Sequence, residues 1–283
     1  MTPQLYGDYR IMWVAEAMVS LPAGRRMPPH WLRERKRERI RQREFPAAWR
    51  EIIERNVPFA RHLSPADRGE LERDVQVFLS EKHFEGAGGL KITDEIKVTI
   101  AAQACVLLLH RKTDNYPGLY SIIVYPHAYI ARHTVQDMPG IITEGMQPRL
   151  GESWTRGAVV FSWDDVRSGA ADIHDGHNVV FHEFAHQLDS QDGKMDGAPI
   201  FSNHSMYATW ARVLGTEYER LQHDTALGRQ TLLDQYGATN PAEFFAVATE
   251  FFFEKPQQLR EKLPQLYEEL RRYYKQDPAR ILM

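Results

Sequence analysis

The sequence predicts an α+β fold in which helices dominate and a small mixed sheet lies on one side of a buried helix. Two short runs, 119–125 and 158–163, are rich in β-branched and aromatic residues, which is typical of strands. Apolar residues at helical spacing occupy most of the remaining chain. The most apolar helical stretch, 179–189, leaves little polar surface and is therefore predicted to lie in the core.

Composition indicates an ordinary globular protein. The chain has 283 residues, of which 43% are apolar and 26% charged, and its net charge of -3 argues against general nucleic-acid binding. The single cysteine, Cys105, excludes an internal disulfide and a four-cysteine zinc site. No stretch reaches the roughly 18 apolar residues of a membrane span. We therefore predict a cytoplasmic protein that contacts neither nucleic acid nor membrane directly.

Residues 1–45 are predicted to form an N-terminal arm that precedes a domain over 46–283. The segment 11–21 has the pattern of a short amphipathic helix. From 33 to 44 the arm carries seven basic and three acidic residues. We interpret this run as a solvated helix with ion pairs between near neighbours, and a docking arm for an acidic partner is the alternative.

Three helices are predicted between 46 and 109. Pro46 opens the first helix, and Ser64 caps the second, with Pro65 at its first helical position. Thr93 caps the third, whose apolar residues predict a buried helix that ends near 109. The glycine-rich stretch 86–89 is predicted to be a loop.

The buried helix contains the motif His-Glu-x-x-His at His182, Glu183 and His186. Residues four apart on a helix turn through about 400°, so the two histidines point the same way. Two imidazoles in this arrangement can bind one Zn²⁺ from one side. Glu183 lies beside that position, where it can accept a proton from activated water.

A catalytic zinc usually has three protein ligands and one open position. Glu243 is the main candidate for the third ligand, because it follows the helix start Asn240-Pro241 in an apolar stretch where a carboxylate needs a cation. Its other interpretation is a capping-box residue. Glu250, on nearly the same helix face, and Asp192, six residues after the motif, are the alternatives.

Two more side chains are candidates for the same site. Tyr236 precedes the candidate ligand Glu243 by seven residues and is within reach of the pocket. Asp189 is a candidate for holding the far nitrogen of a ligand histidine, although a polar helix end explains it equally well. Further helices are predicted at about 204–223 and 256–275.

Several motifs together resemble the Mlc titration factor A family of bacterial zinc peptidases. They are His182-Glu183-Phe184-Ala185-His186-Gln187-Leu188-Asp189, Tyr236, Asn240-Pro241-Ala242-Glu243-Phe244-Phe245-Ala246-Val247, Gly151-Glu152-Ser153-Trp154 and the strand that ends at Trp163. The similarity covers roughly residues 46–283. It implies a zincin-like domain of the gluzincin type, similar in its catalytic core to the toxin lethal-factor peptidases.

The resemblance also implies roles for individual residues. It places one zinc ion per chain on His182, His186 and Glu243, with Glu183 as the general base and Tyr236 steadying the oxyanion. The implied activity is aminopeptidase-like hydrolysis of small peptides. The rival function is an interaction protein that sequesters a transcriptional repressor of the Mlc type, and a third alternative is a structural zinc domain.

Overall fold

The computed structural model describes residues 29–111, 114–127, 157–201 and 203–282. The predicted helix at 11–21 and the motif at 151–154 lie outside the described residues. Within the described ranges the chain forms eleven α-helices and three strands, so the mostly helical α+β class is confirmed. None of the described helices combines the length and the apolar character that crossing a membrane requires.

Most of the helices lie where the sequence predicts them, but the helix that begins at Trp163 was not predicted. The described helices are α1 (His30–Arg41), α2 (Ala47–Asn56), α3 (Pro65–Glu81), α4 (Asp94–Val106), α5 (Trp163–Ala171), α6 (Val179–Asp189), α7 (Ser205–Ala226), α8 (Pro241–Glu254), α9 (Pro256–Lys262), α10 (Pro264–Tyr274) and α11 (Pro278–Ile281). The predicted cap of α3 is confirmed, because Ser64 Oγ accepts a hydrogen bond from Asp67 N at 3.1 Å. The stretch predicted as one helix over 256–275 divides before Pro264, since proline has no N–H to continue the helix.

The strands β1 (His83–Gly86), β2 (Ser121–Tyr125) and β3 (Ala158–Ser162) form a sheet in that order. Both pairings are parallel. The prediction of a mixed sheet is therefore corrected for the described strands. The physical reason is that α4 lies between β1 and β2 in the chain and carries it back to the same end of the sheet, as parallel neighbours require.

Strand β1 was not predicted from the sequence. Three of its four residues are exposed, so it lacks the alternation of apolar and polar residues that indicates a half-buried strand. Its pairing partner β2 is buried at four of five positions. The segment therefore forms strand β1 because it pairs with the apolar strand β2, although its own sequence pattern does not indicate a strand.

The buried helix α6 contacts both the sheet and α8. Phe184 stacks on Phe161 of β3 with ring centroids 6.2 Å apart. Phe181, about one turn before Phe184 on α6, contacts Phe253 of α8 with ring centroids 5.2 Å apart. These aromatic contacts fix α6 in the core, and α8 is likewise buried along nearly its whole length.

The first described helix packs on α3, and Arg37 fastens it there. This side chain is only 4% exposed, and its guanidinium forms two hydrogen bonds with Glu81, at 2.7 and 2.9 Å. It also pairs with Asp114 and with Glu34. We call these four residues the Arg37 cluster. The predicted helix is confirmed, but the interpretation as a wholly solvated helix is wrong at Arg37, whose main partners are distant in sequence.

Candidate active site

Helix α6 presents the two motif histidines side by side in the core. Asn178 caps the helix by accepting hydrogen bonds from Val180 N at 3.1 Å and Phe181 N at 3.0 Å. His182 and His186 are both buried, and their Nε2 atoms lie 3.2 Å apart. The four-residue spacing therefore brings the two imidazoles together as the sequence predicts.

Helix α8 adds the carboxylate of Glu243. Asn240 Oδ1 accepts a hydrogen bond from Glu243 N at 3.0 Å, which fixes the helix start. Glu243 Oε2 then lies 3.0 Å from His182 Nε2 and 3.3 Å from His186 Nε2. The rival Asp192 is exposed and accepts a hydrogen bond from Lys194 N instead.

Glu250 reaches the other side of the first histidine. Its Oε1 lies 2.8 Å from His182 Nδ1, and its Oε2 accepts a hydrogen bond from Asn178 N at 2.6 Å. The sequence had suggested Glu250 as an alternative ligand and Asp189 as a partner of a histidine. The structure gives the far nitrogen of His182 to Glu250, while Asp189 Oδ2 accepts a hydrogen bond from Gly197 N at 2.9 Å.

Glu183 and Tyr236 border the same cluster. Glu183 is 3% exposed, and its Oε1 has no hydrogen-bond partner among the described residues. Burial raises the pKa of Glu183 to about 7, and the nearby carboxylates of Glu243 and Glu250 add to this effect, against the opposing influence of His182. The Tyr236 ring lies 6.0 Å from the His182 ring and is partly open to solvent.

Burial and charge act against each other in this cluster. Burial opposes a charge on His182, but the carboxylates of Glu250 and Glu243 outweigh it and raise the pKa of the imidazole. Burial likewise opposes ionisation of Glu243, but hydrogen bonds from both histidines hold its pKa well below the usual value. The site thus favours an ionised Glu243 beside positive charge.

A second group of possible ligands differs from this one. Asp67, Glu70 and His110 also lie close together, but they are partly open to solvent. His110 Nε2 is 2.6 Å from Asp67 Oδ1, and His110 Nδ1 is 3.0 Å from Lys275 O. Two ligands of one tetrahedral ion at about 2.05 Å would lie roughly 3.3 Å apart. The short Asp67–His110 contact is therefore that of a hydrogen-bonded pair.

The buried group fits that spacing. Its three Nε2 and Oε2 atoms are separated by 3.0, 3.2 and 3.3 Å. Two imidazoles and a carboxylate are buried together in a helical α+β fold, beside a second carboxylate with one oxygen that has no hydrogen-bond partner among the described residues. This is the architecture of a metal-dependent enzyme.

Comparisons with known proteins define the family. The sequence model of the family described as "Glucose-regulated metallo-peptidase M90" matches residues 31–275. An uncharacterized protein of Synechocystis sp. is 42% identical over 251 residues, which are 88% of this chain and 91% of that protein. Mlc titration factor A of Yersinia pestis and of Yersinia pseudotuberculosis are each 30% identical over 243 residues, covering 84% of this chain and 87% of theirs. The chain belongs to the M90 metallopeptidase family, and the resemblance found in the sequence is confirmed.

The family implies a metal ion, and the residues present are suited to hold one. Three donor atoms converge at the mutual distances that a single tetrahedral ion requires. Glu183 interacts electrostatically with His182 and Glu243, and its buried Oε1 has no hydrogen-bond partner within the described part of the chain. Such an oxygen costs free energy unless a water or substrate group meets it, which is expected next to a reaction centre.

Proposed function

We propose that the protein is a zinc-dependent peptidase of the gluzincin type, in which His182, His186 and Glu243 hold one zinc ion and Glu183 is the general base. The observation that carries this proposal is the convergence of three buried donor atoms beside the unpartnered Glu183 oxygen. Two imidazole nitrogens and one carboxylate oxygen are a recurring ligand set of catalytic zinc, which supports zinc over magnesium or calcium.

When bound, a zinc ion supplies the Lewis acidity that activates water and polarises the peptide carbonyl. Glu183 Oε1 would accept the proton from the attacking water and return it to the leaving amine. Glu183 is buried beside the two histidines, and its Oε1 is without a hydrogen-bond partner among the described residues, which leaves this oxygen available to a water molecule. The Tyr236 hydroxyl would donate a hydrogen bond to the developing oxyanion.

The organisation of the chain is part of the same proposal. Residues 46–283 would form the peptidase domain, and 1–45 an arm whose helix α1 is fastened to α3 by Arg37. We further propose aminopeptidase-like action on small peptides in the cytoplasm. The family resemblance supports this substrate class, and the partly open Tyr236 provides a solvent-facing side from which a peptide could enter.

Replacing Glu183 by Gln tests the proposal. The amide has the shape of the carboxylate but cannot accept the proton, so we expect peptide hydrolysis to fall at least about 10³-fold. Zinc content, measured by mass spectrometry, should stay at one ion per chain. The matched control is Glu219→Gln, the same substitution at an exposed position of α7, which should leave hydrolysis unchanged. Unchanged hydrolysis, or loss of the zinc, would contradict the assigned roles.

A second candidate function is binding of a transcriptional repressor of the Mlc type. The similarity to two proteins named Mlc titration factor A supports it. Binding of a purified repressor of this type, measured by calorimetry, would support this function if the Glu183→Gln protein binds as tightly as the wild type. No binding by either protein would leave peptidase activity as the only proposed function.

A further inference from the structure

We propose that Glu250 is a positioning residue, which fixes the orientation and the tautomer of His182 and ties that imidazole to the cap of α6. This inference rests on the proposed function, because it assigns His182 Nε2 to the metal. The Glu250 carboxylate contacts Nδ1 of His182, whereas Glu243 faces the other ring nitrogen, Nε2. Glu250 therefore acts on the ion only through the histidine.

Two carboxylates of α8 hold the same imidazole. Glu243 faces Nε2 at 3.0 Å, and Glu250 faces Nδ1 at 2.8 Å. Their seven-residue separation is close to two helical turns, so both lie on one face of α8, roughly 10.5 Å apart along its axis. The two carboxylates therefore approach the His182 ring from opposite ends. Rotation of the ring about χ2 would break both contacts.

The contact with Glu250 also decides where the hydrogen of a neutral ring lies. An ionised carboxylate only accepts hydrogen bonds, so Nδ1 carries the hydrogen and donates it to Glu250 Oε1. Nε2 then keeps its lone pair on the side of His186 and Glu243. The opposite tautomer would place a hydrogen at Nε2, where it would block a metal ion.

Glu250 is itself held from a second direction. Its other oxygen accepts a hydrogen bond from the backbone N–H of Asn178 at 2.6 Å. The Asn178 side chain caps α6 and donates hydrogen bonds to Gln103 Oε1 of α4 at 2.9 Å and to Gly169 O of α5 at 3.3 Å. The carboxylate is thus anchored to three other helices before any ion binds, which reduces the entropy lost when His182 becomes a ligand.

Glu254 provides a matched control on the same helix. It lies one turn beyond Glu250 and is also buried, but among the described residues its carboxylate makes no hydrogen bond to His182. Burial raises the pKa of Glu254 well above the usual value, with the negative charge of Glu250 adding to the effect. Replacing Glu254 by Gln keeps the size of the side chain and leaves the contact between Glu250 and His182 in place.

The experiment measures zinc affinity by competition with a chelator in the wild type, Glu250→Gln, Glu250→Asp and Glu254→Gln. The Gln variant keeps the size of the side chain, whereas the Asp variant keeps its charge but withdraws the carboxylate by one methylene. Positioning predicts a loss of affinity of about 10–100-fold in both Glu250 variants and none in Glu254→Gln. Unfolding of each metal-free protein is measured in parallel.

Each outcome decides the question. A loss in Glu250→Gln with wild-type affinity in Glu250→Asp would mean that charge alone matters and would overturn positioning. Reduced stability of the metal-free variants with unchanged zinc affinity would show a purely structural role and would also overturn it. If the wild type binds zinc no better than His186→Ala, the proposed function itself fails. If His186→Ala binds zinc more weakly than the wild type but both Glu250 variants bind it as tightly, the positioning role of Glu250 is wrong and the proposed zinc site stands.

Discussion

The Arg37 cluster and the active site both bury charged side chains, but they neutralise them differently. In the Arg37 cluster the chain supplies a guanidinium that is charged at every accessible pH, and Glu34, Glu81 and Asp114 surround it. The chain itself therefore provides the positive charge, and the cluster is complete once α1 packs on α3 and the segment that carries Asp114 is in place.

The active site has carboxylates in excess. Glu183, Glu243 and Glu250 are all buried, and the hydrogen bonds described for them come from imidazoles and a backbone N–H. Neutral imidazoles bring no charge, and charged ones would have no lone pair for an ion. The difference shows that buried carboxylates which no arginine or lysine neutralises depend on a cation from solution. Such a cation can be removed, whereas Arg37 cannot.

Removal of the metal ion should have the largest effect on activity and stability, and it should affect the active site but not the Arg37 cluster. A chelator should abolish hydrolysis and lower the free energy of unfolding, by about 4 kcal/mol relative to zinc at 1,000 times its dissociation constant. Denaturant unfolding with chelator, and again after zinc is restored, measures the change. His186→Ala should be insensitive to the chelator. If the stability of the wild type is also unaffected by the chelator, the comparison fails, because the active-site carboxylates would then not need the ion.

Substitution of Arg37 by Met should have the next largest effect. It leaves Glu81 and Asp114 without their buried partner, and we expect a loss of about 3 kcal/mol, at the low end for a buried pair because both carboxylates are partly open to water. Urea unfolding checks the value. The exposed Arg39 on the same helix is the control, and Arg39→Met should change stability by less than about 0.5 kcal/mol. Zinc affinity should stay at the wild-type value, and a weakened affinity would show that the two regions are coupled.

Lys82 is a third buried charge, and among the described residues no carboxylate forms an ion pair with it. Its Nζ donates hydrogen bonds to Tyr116 O at 2.6 Å and Leu119 O at 2.8 Å, and burial lowers its pKa to about 8 from 10.5. Between pH 8 and 10.5 the unfolded chain binds more protons than the folded chain, so stability should rise with pH in this window.

The measurement compares urea unfolding of the wild type and of Lys82→Met at pH 8 and pH 10. The contribution of other ionising groups cancels in the difference between the two proteins. We expect the wild type to gain about 2 kcal/mol relative to Lys82→Met over this range. An equal or opposite dependence would mean that the Lys82 ammonium is stabilised by charge, as Arg37 is.

The predictability of the site differs from residue to residue. The convergence of His182 and His186 follows from helical geometry, which the sequence encodes directly. Glu243 was identified because an apolar helix start leaves a carboxylate in need of a cation, and the structure brings it to the histidines. Glu250 was suggested only as an alternative ligand, because spacing specifies a helix face and not which atom of a distant ring that face meets.

The fold shows the same division. Apolar periodicity, caps and prolines predicted most of the helices, because each of these signals acts within a few residues, but α5 was missed because Trp163 was assigned to the preceding strand. They were insufficient for β1, whose mostly exposed residues become a strand only by pairing with β2. They also failed for Arg37, since its main partners are 44 and 77 residues away in the chain.

By itself, the sequence therefore determined most of the helices and the buried helix with its two histidines, and it predicted a third, acidic ligand. Tertiary structure alone decided that the described strands run parallel, that Glu250 holds His182 from behind and that α1 is fastened by a buried arginine. The physical reason is the distance along the chain over which each interaction acts. Backbone hydrogen bonds and side-chain periodicity act over one or two helical turns, whereas the pairing of buried charges and of strands joins segments that meet only after the chain has folded.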